Sequence, residues 1–186
     1  MLTIYVKVTR TIMAETEILD QVDENGKVIG QAPRSVFHSS PNMIHAVVHC
    51  WLFSNKGNIL WQQRSMQKVT SPWKWDMSCG GHILSGHNPE TTLKRELEEE
   101  LGLTDIEVKF IEKYIHGNDT QTELIYLYYG IIDETTEFRL QKDEVEKVEW
   151  IKPSVAQQKV LDGERDSTDF IFREVTRILE YLLRTE

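Results

Sequence analysis

Three glutamates, Glu96, Glu99 and Glu100, fall at i, i+3 and i+4, a spacing that brings side chains together on one face of an α-helix. Like charges so placed repel one another, and an ordinary surface helix gains nothing from them. A hard divalent cation takes oxygen ligands and offsets that repulsion, so the same pattern reads as a metal site; the plainer alternative is a solvated acidic face. Arg95 adjoins the cluster and can hold one carboxylate in place by a charge-assisted hydrogen bond. The helix that must carry these groups is well marked in the sequence. Asn88 is a good N-cap, Pro89 suits the first helical position, and Glu90 places negative charge near the positive end of the dipole. Gly102 suits the left-handed position after the last turn, and Leu93, Leu97 and Leu101 give an apolar stripe for a core.

These residues also carry a resemblance. The Nudix hydrolase signature reads Gly, five residues, Glu, seven residues, then Arg-Glu-apolar-any-Glu-Glu-any-Gly-apolar. Gly81 opens it here, and the run from Arg95 to Leu103 closes it without a mismatch, with His87 standing where the pattern has its first Glu. Over about residues 40 to 155 the chain resembles that family. The resemblance implies a Nudix α/β/α sandwich with a mixed β-sheet, an α/β (α+β) fold. It further implies Mg2+ or Mn2+ on Glu96, Glu99 and Glu100, and hydrolysis of a diphosphate linkage in a nucleoside diphosphate-type small molecule. A loop at Gly80-Gly81 lets backbone approach the metal or the phosphate closely.

Single histidines are more often surface or hydrogen-bonded residues than ligands. A neighbouring branch of the superfamily, isopentenyl-diphosphate isomerase, nevertheless holds a divalent metal through three histidines and two glutamates. The segments around His38, His45 and His82 look like that branch, with Glu123 at the place of the second glutamate and Gln121 at the first. The likeness implies a second divalent metal at His38, His45, His82 and Glu123, where nitrogen ligands suit zinc or manganese better than magnesium. The isomerase branch also has a cysteine immediately before its Gly-His pair, and here that position is Gly80. Glycine has no titratable group, and proton transfer at carbon needs one within hydrogen-bond reach. Cys79, one residue earlier, points to the other face of an extended segment. The expectation is an isomerase-like relative that hydrolyses diphosphates. The alternatives are an isomerase of a prenyl diphosphate and a non-catalytic nucleotide-binding module.

Hydrolysis needs a general base, and Glu144 and Glu146 are candidates, with ordinary exposed carboxylates as the alternative. Arg64 can bind phosphate through a guanidinium that matches two oxygens, or can be simple surface charge. Trp61, Trp73 and Trp75 are candidates for stacking a base, whereas Trp51 reads better as core.

The net charge of −9 argues against a nucleic-acid-binding surface and means that an anionic substrate needs a cation at its site. The two cysteines, Cys50 and Cys79, fit a reduced intracellular protein. No apolar run reaches the length of a membrane span, and no signal pattern opens the sequence, so the default expectation is cytoplasmic with no membrane partner.

The elements that must position these residues can be read in order. Residues 1–16 are an N-terminal extension or an edge strand, or in part an untranslated leader, and residues 17–186 form the Nudix domain. Glu17 to Val22 and Lys27 to Gln31 read as a hairpin about Asn25-Gly26. Pro33 to Phe37 reads as a helical turn, and Asn42 to Phe53, apolar on both alternating sets, as a central strand. Ile59 to Arg64, Ile106 to Tyr114, Thr122 to Ile132 and Glu144 to Ile151 read as further strands, and Ser154 to Leu161 as a short helix. Thr168 to Arg184 reads as a longer helix, whose apolar face can pack on a second copy in a homodimer.

Overall fold

The hairpin expected from Asn25-Gly26 opens the described chain. In the computed structural model, which describes residues 17–168 and 170–185, β1 (Ile18–Val22) and β2 (Val28–Pro33) pair antiparallel. The expected extension or edge strand over residues 1–16 lies outside the described residues. Asp23 accepts the N–H groups of Asn25 and Lys27, each at 2.9 Å, and Gly26 takes φ 81°. That conformation favours glycine, and a Cβ there would lie 2.6 Å from the Tyr126 hydroxyl. After β2 come α1 (Arg34–Phe37), β3 (Ile44–Ser54), β4 (Ile59–Arg64), β5 (Trp75–Asp76) and β6 (Cys79–His82). Then follow α2 (Pro89–Leu101), β7 (Val108–Gly117), β8 (Thr122–Ile132), β9 (Val145–Ile151), α3 (Pro153–Leu161) and α4 (Ile171–Thr185). This is a mixed α+β fold with a large mixed sheet and a few helices, as expected.

The chain divides into two compact units. The first holds described residues 17–48, Gly81–Thr92 and Lys113–Tyr126. In it β1 pairs with the start of β3, Gln21 opposite His45 and Val22 opposite Ile44, which fixes the register of the second histidine. Phe37, Leu19, Val47 and Val48 are buried there. The second unit holds His49–Gly80, Leu93–Glu112 and the described residues of 127–185. In it β4 pairs antiparallel with β9 along its length, from Ile59 opposite Ile151 to Arg64 opposite Val145, and with β5 on its other side. The core of this unit holds Trp51, Leu52, Leu60, Trp61, Leu97, Leu101, Ile171 and Ile178, all at most 2% exposed. Every residue of β3 after Ile44 is buried, the covered central strand that its two apolar sets predict.

Most element ends shift by one or two residues, and three differences bear on the site. The Gly80-Gly81 pair, expected in a loop, lies in β6; the turn comes later, where Gly86 takes φ 79°. The strand expected at Ile106 to Tyr114 runs from Val108 to Gly117, where its pairing with β8 carries it three residues further. The last helix starts at Ile171 rather than Thr168, because the Thr168 hydroxyl and N–H bond Asp76 and the Trp75 carbonyl instead.

Candidate functional site

The acidic residues lie on the part of α2 in the second unit. The local signals act as expected: the Thr91 N–H bonds the Asn88 side chain at 2.9 Å, and Gly102 takes φ 71° after the last turn. The helix end is also tied down from outside. The N–H groups of Arg139 and Gln141 donate to the carbonyls of Leu101 and Glu100 at 2.9 and 3.1 Å, satisfying acceptors that a helix terminus leaves open.

On this scaffold Arg95 holds two carboxylates rather than one. It donates to Glu96 at 2.6 Å and to Glu99 at 2.8 Å. The Glu96 and Glu99 side chains are 12% and 49% exposed, so the cluster runs from the interior to solvent. Glu100 is buried, and its Oε2 has no hydrogen-bond partner. Burial pushes the Glu96 and Glu100 carboxyls above the ordinary glutamate range. Glu100 adds to the rise at Glu96, and Glu144 to that at Glu100, while Arg95 and Lys68 oppose it. A buried, repelling carboxylate pair with an unpartnered oxygen suits a divalent cation, which supplies what the oxygen lacks and relieves the repulsion. The residues present therefore fit Mg2+ or Mn2+ on Glu96, Glu99 and Glu100.

Other expected residues fall around the same helix. Glu144 pairs with Lys68 and acts on Glu100; Glu146 is not among the charges that perturb it. Arg64 commits its guanidinium to Asp76 at 3.0 Å and to the carbonyls of Thr70 and Ser71, so it braces the loop between β4 and β5. Trp51 and Trp61 are fully buried, Trp75 is 4% exposed and Trp73 is 49% exposed. Arg165 stacks over Trp75 at 4.0 Å, which leaves Trp73 as the exposed candidate for stacking. Lys68 was not anticipated, because nothing local links it to residues so far along the chain. Nor was Glu174, a fully buried carboxylate on α4 that accepts from His49 at 2.7 Å and Trp51 at 2.8 Å. The alternating His49 and Trp51 on β3 were its only sequence signal.

The first unit brings the histidines together. Ligand nitrogens of His38, His45 and His82 all lie within 4.8 Å of one another. His38 and His82 approach through Nε2 at 3.0 Å, one of them carrying the shared proton, and the rings of His45 and His82 stack at 5.2 Å. Both nitrogens of His45 are buried and outside good hydrogen-bond geometry; the Thr122 backbone acts weakly on the ring, and Glu123 Oε1 lies 3.7 Å from its Nε2. Gln121 donates to that same Glu123 oxygen at 3.0 Å, so the residue at the place of the first glutamate orients the second. Burial lowers the pKa of His38 to about 4 and of His45 to about 3, so both are neutral and ligand-competent near pH 7. Tetrahedral zinc, with Zn–N near 2.0–2.1 Å, sets its nitrogens about 3.3 Å apart, which these positions can meet. Gly81 lies half-buried in β6 beside His82, at a φ that is not left-handed. Cys79 is buried, hydrogen-bonded to Glu100, and its thiol is pushed well up, first by burial and then by Glu100 and Glu96.

Comparisons with known proteins follow the same lines. A family model described as the NUDIX domain matches residues 43–171. The isopentenyl-diphosphate Delta-isomerase of Streptomyces griseus is 38% identical over 91 residues, covering 49% of this chain and 46% of that protein, so the chain spans about half of it. An uncharacterized Nudix hydrolase of Nostoc sp. is 34% identical over 165 residues, covering 86% of this chain and 95% of that protein. The crystal structure of DR0079 from Deinococcus radiodurans superposes with a TM-score of 0.75 at 22% identity, covering 87% of this chain and 98% of that one. That structural likeness speaks to the fold. The family model spans more than half of the sequence, over the acidic helix and two of the three histidines, and on that ground the chain belongs to the Nudix family.

Proposed function

We propose that the protein is a metal-dependent hydrolase of a diphosphate linkage in a small nucleoside diphosphate-type molecule. The observation that carries the reading is the α2 cluster: three carboxylates on one face, two pushed up by burial and mutual repulsion, with Glu100 Oε2 lacking any partner. Glu96, Glu99 and Glu100 would hold the divalent cations, which would supply charge withdrawal from phosphorus and a more acidic water. The chain's own residues do the rest. Arg95 fixes the directions of Glu96 and Glu99, and Cys79 holds Glu100 by a hydrogen bond. Glu144, paired with Lys68 next to Glu100, is the carboxylate we assign as base.

The test is phosphate release across nucleoside and prenyl diphosphates with Mg2+ or Mn2+. Turnover is expected on at least one, falling ~10²-fold or more in Glu99→Gln with the melting temperature unchanged. Full turnover in that variant overturns the assignment. A second reading, isomerisation of a prenyl diphosphate, is favoured by the cluster of His38, His45, His82 and Glu123, and by the likeness to the Streptomyces enzyme. It lacks an acid–base group at Gly80. It predicts a moved double bond without phosphate release, which NMR of the same reactions detects.

A further inference from the structure

Beside the acidic helix, within the second unit, lies a cleft of about 490 Å3 lined by Arg95, Glu98, Glu99, Arg139, Leu140 and Gln141. Its polar groups fall on two walls. One is α2, where Arg95 is already committed to Glu96 and Glu99. The other is the extended segment 139–141, whose backbone is tied to the helix end by the bonds from Arg139 and Gln141. Its side chains are differently placed: among the described residues, neither the Arg139 guanidinium nor the Gln141 amide has a hydrogen bond or ion pair. The lining thus sets two uncommitted donor groups across from Glu98 and Glu99, the second of which belongs to the carboxylate cluster.

The placement of Arg139 is fixed tightly. A Cβ at Gly102 would lie 2.7 Å from the Arg139 Cβ and 3.2 Å from its backbone nitrogen, so this approach exists only because residue 102 has no side chain. The same glycine that ends the helix therefore lets the backbone of segment 139–141 close on the last turn of α2. A planar guanidinium with free donors matches the oxygens of a phosphate, which it can bind in two places.

We propose that Arg139, assisted by Gln141, binds phosphate oxygens of a diphosphate whose other oxygens face a cation held by Glu99, the member of the cluster that lines the cleft. This rests on the hydrolase reading for its substrate class, and it makes Arg139 a determinant of affinity rather than of the chemical step.

The test uses methylenediphosphonate, which has the diphosphate shape but no hydrolysable bridge, titrated calorimetrically with Mg2+ present. Arg139→Ala is expected to weaken binding tenfold or more and to flatten its salt dependence. Arg139→Lys should recover part of the loss, because it keeps the charge but not the fork. Arg184→Ala, which removes an exposed arginine at the other end of the unit's sequence, should stay within twofold of the parent. With a hydrolysed substrate, Arg139→Ala should raise KM by a matching factor and leave kcat within about threefold. Parental affinity in Arg139→Ala, or absence of methylenediphosphonate binding by the parent, overturns the proposal. Absence of phosphate release by the parent on every substrate, with Arg139-dependent binding intact, overturns the hydrolase reading alone.

Discussion

Replacing Glu100 with Gln should move stability and metal affinity in opposite directions. Glu96 and Glu100 are one turn apart on α2, so their carboxylates lie roughly 6 Å from each other. Neither is well solvated: their exposures are 12% for the Glu96 side chain and 5% for Glu100. Two unit charges at ~6 Å and an effective dielectric constant of ~20 repel by about 3 kcal/mol. Lys68 and Arg95 offset part of that, leaving ~1–2 kcal/mol of strain in the metal-free protein when both groups are ionised. Both carboxyls have folded-state pKa values above the unfolded one, so the folded chain holds protons that the unfolded chain has released. Metal-free stability therefore falls as pH rises from the ordinary glutamate value of 4.5 towards about 8. Glu100→Gln removes one of the two charges. At pH 8 without metal its melting temperature should exceed the parent's by ~2–8 °C, and the gain should vanish near pH 4.5, where the parent's carboxyls are protonated. In the same variant Mn2+ affinity, read from free Mn2+ by EPR, should fall at least tenfold, since even loss of an outer partner costs ~10–100-fold. A variant less stable than the parent at pH 8 without metal, or one that keeps parental Mn2+ affinity, refutes the account of α2 as a strained cation site.

Three further outcomes follow from the same geometry. Co2+ titrated into the protein should give a tetrahedral visible spectrum that His82→Asn abolishes; because His38 and His45 are held neutral, the signal should persist to about pH 5, where ordinary imidazoles protonate. Glu174→Ala leaves His49 and Trp51 buried without their acceptor and should cost ~3–5 kcal/mol in urea denaturation, while an exposed control such as Glu180→Ala stays within ~0.5 kcal/mol. Gly86→Ala, at φ 79° with nothing within 4 Å of the added carbon, should cost only the ~1 kcal/mol of a left-handed residue. Gly102→Ala, which adds a collision with Arg139, should cost clearly more by the same measurement, and equal losses refute the close approach.

The sequence by itself determined what short-range geometry determines. The capped helix, the face shared by Glu96, Glu99 and Glu100, the Asn25-Gly26 turn and the buried run of β3 all depend on residues within a turn or a pleat of one another, so spacing alone was enough. The likeness to the signature placed the same helix in a known family. Tertiary structure decided the rest. His38, His45, His82 and Glu123 come from four separate stretches, and only the pairing of β1 with β3 and the approach of β6 and β8 put their ligand atoms together. Lys68 beside Glu144, Glu174 beneath β3, and Arg139 against Gly102 each join residues more than thirty positions apart in the chain. Local propensity carries no information about such pairs. They form because the burial of apolar faces brings distant segments together, and the polar groups carried along must then find partners, or stay without them, where the fold leaves them.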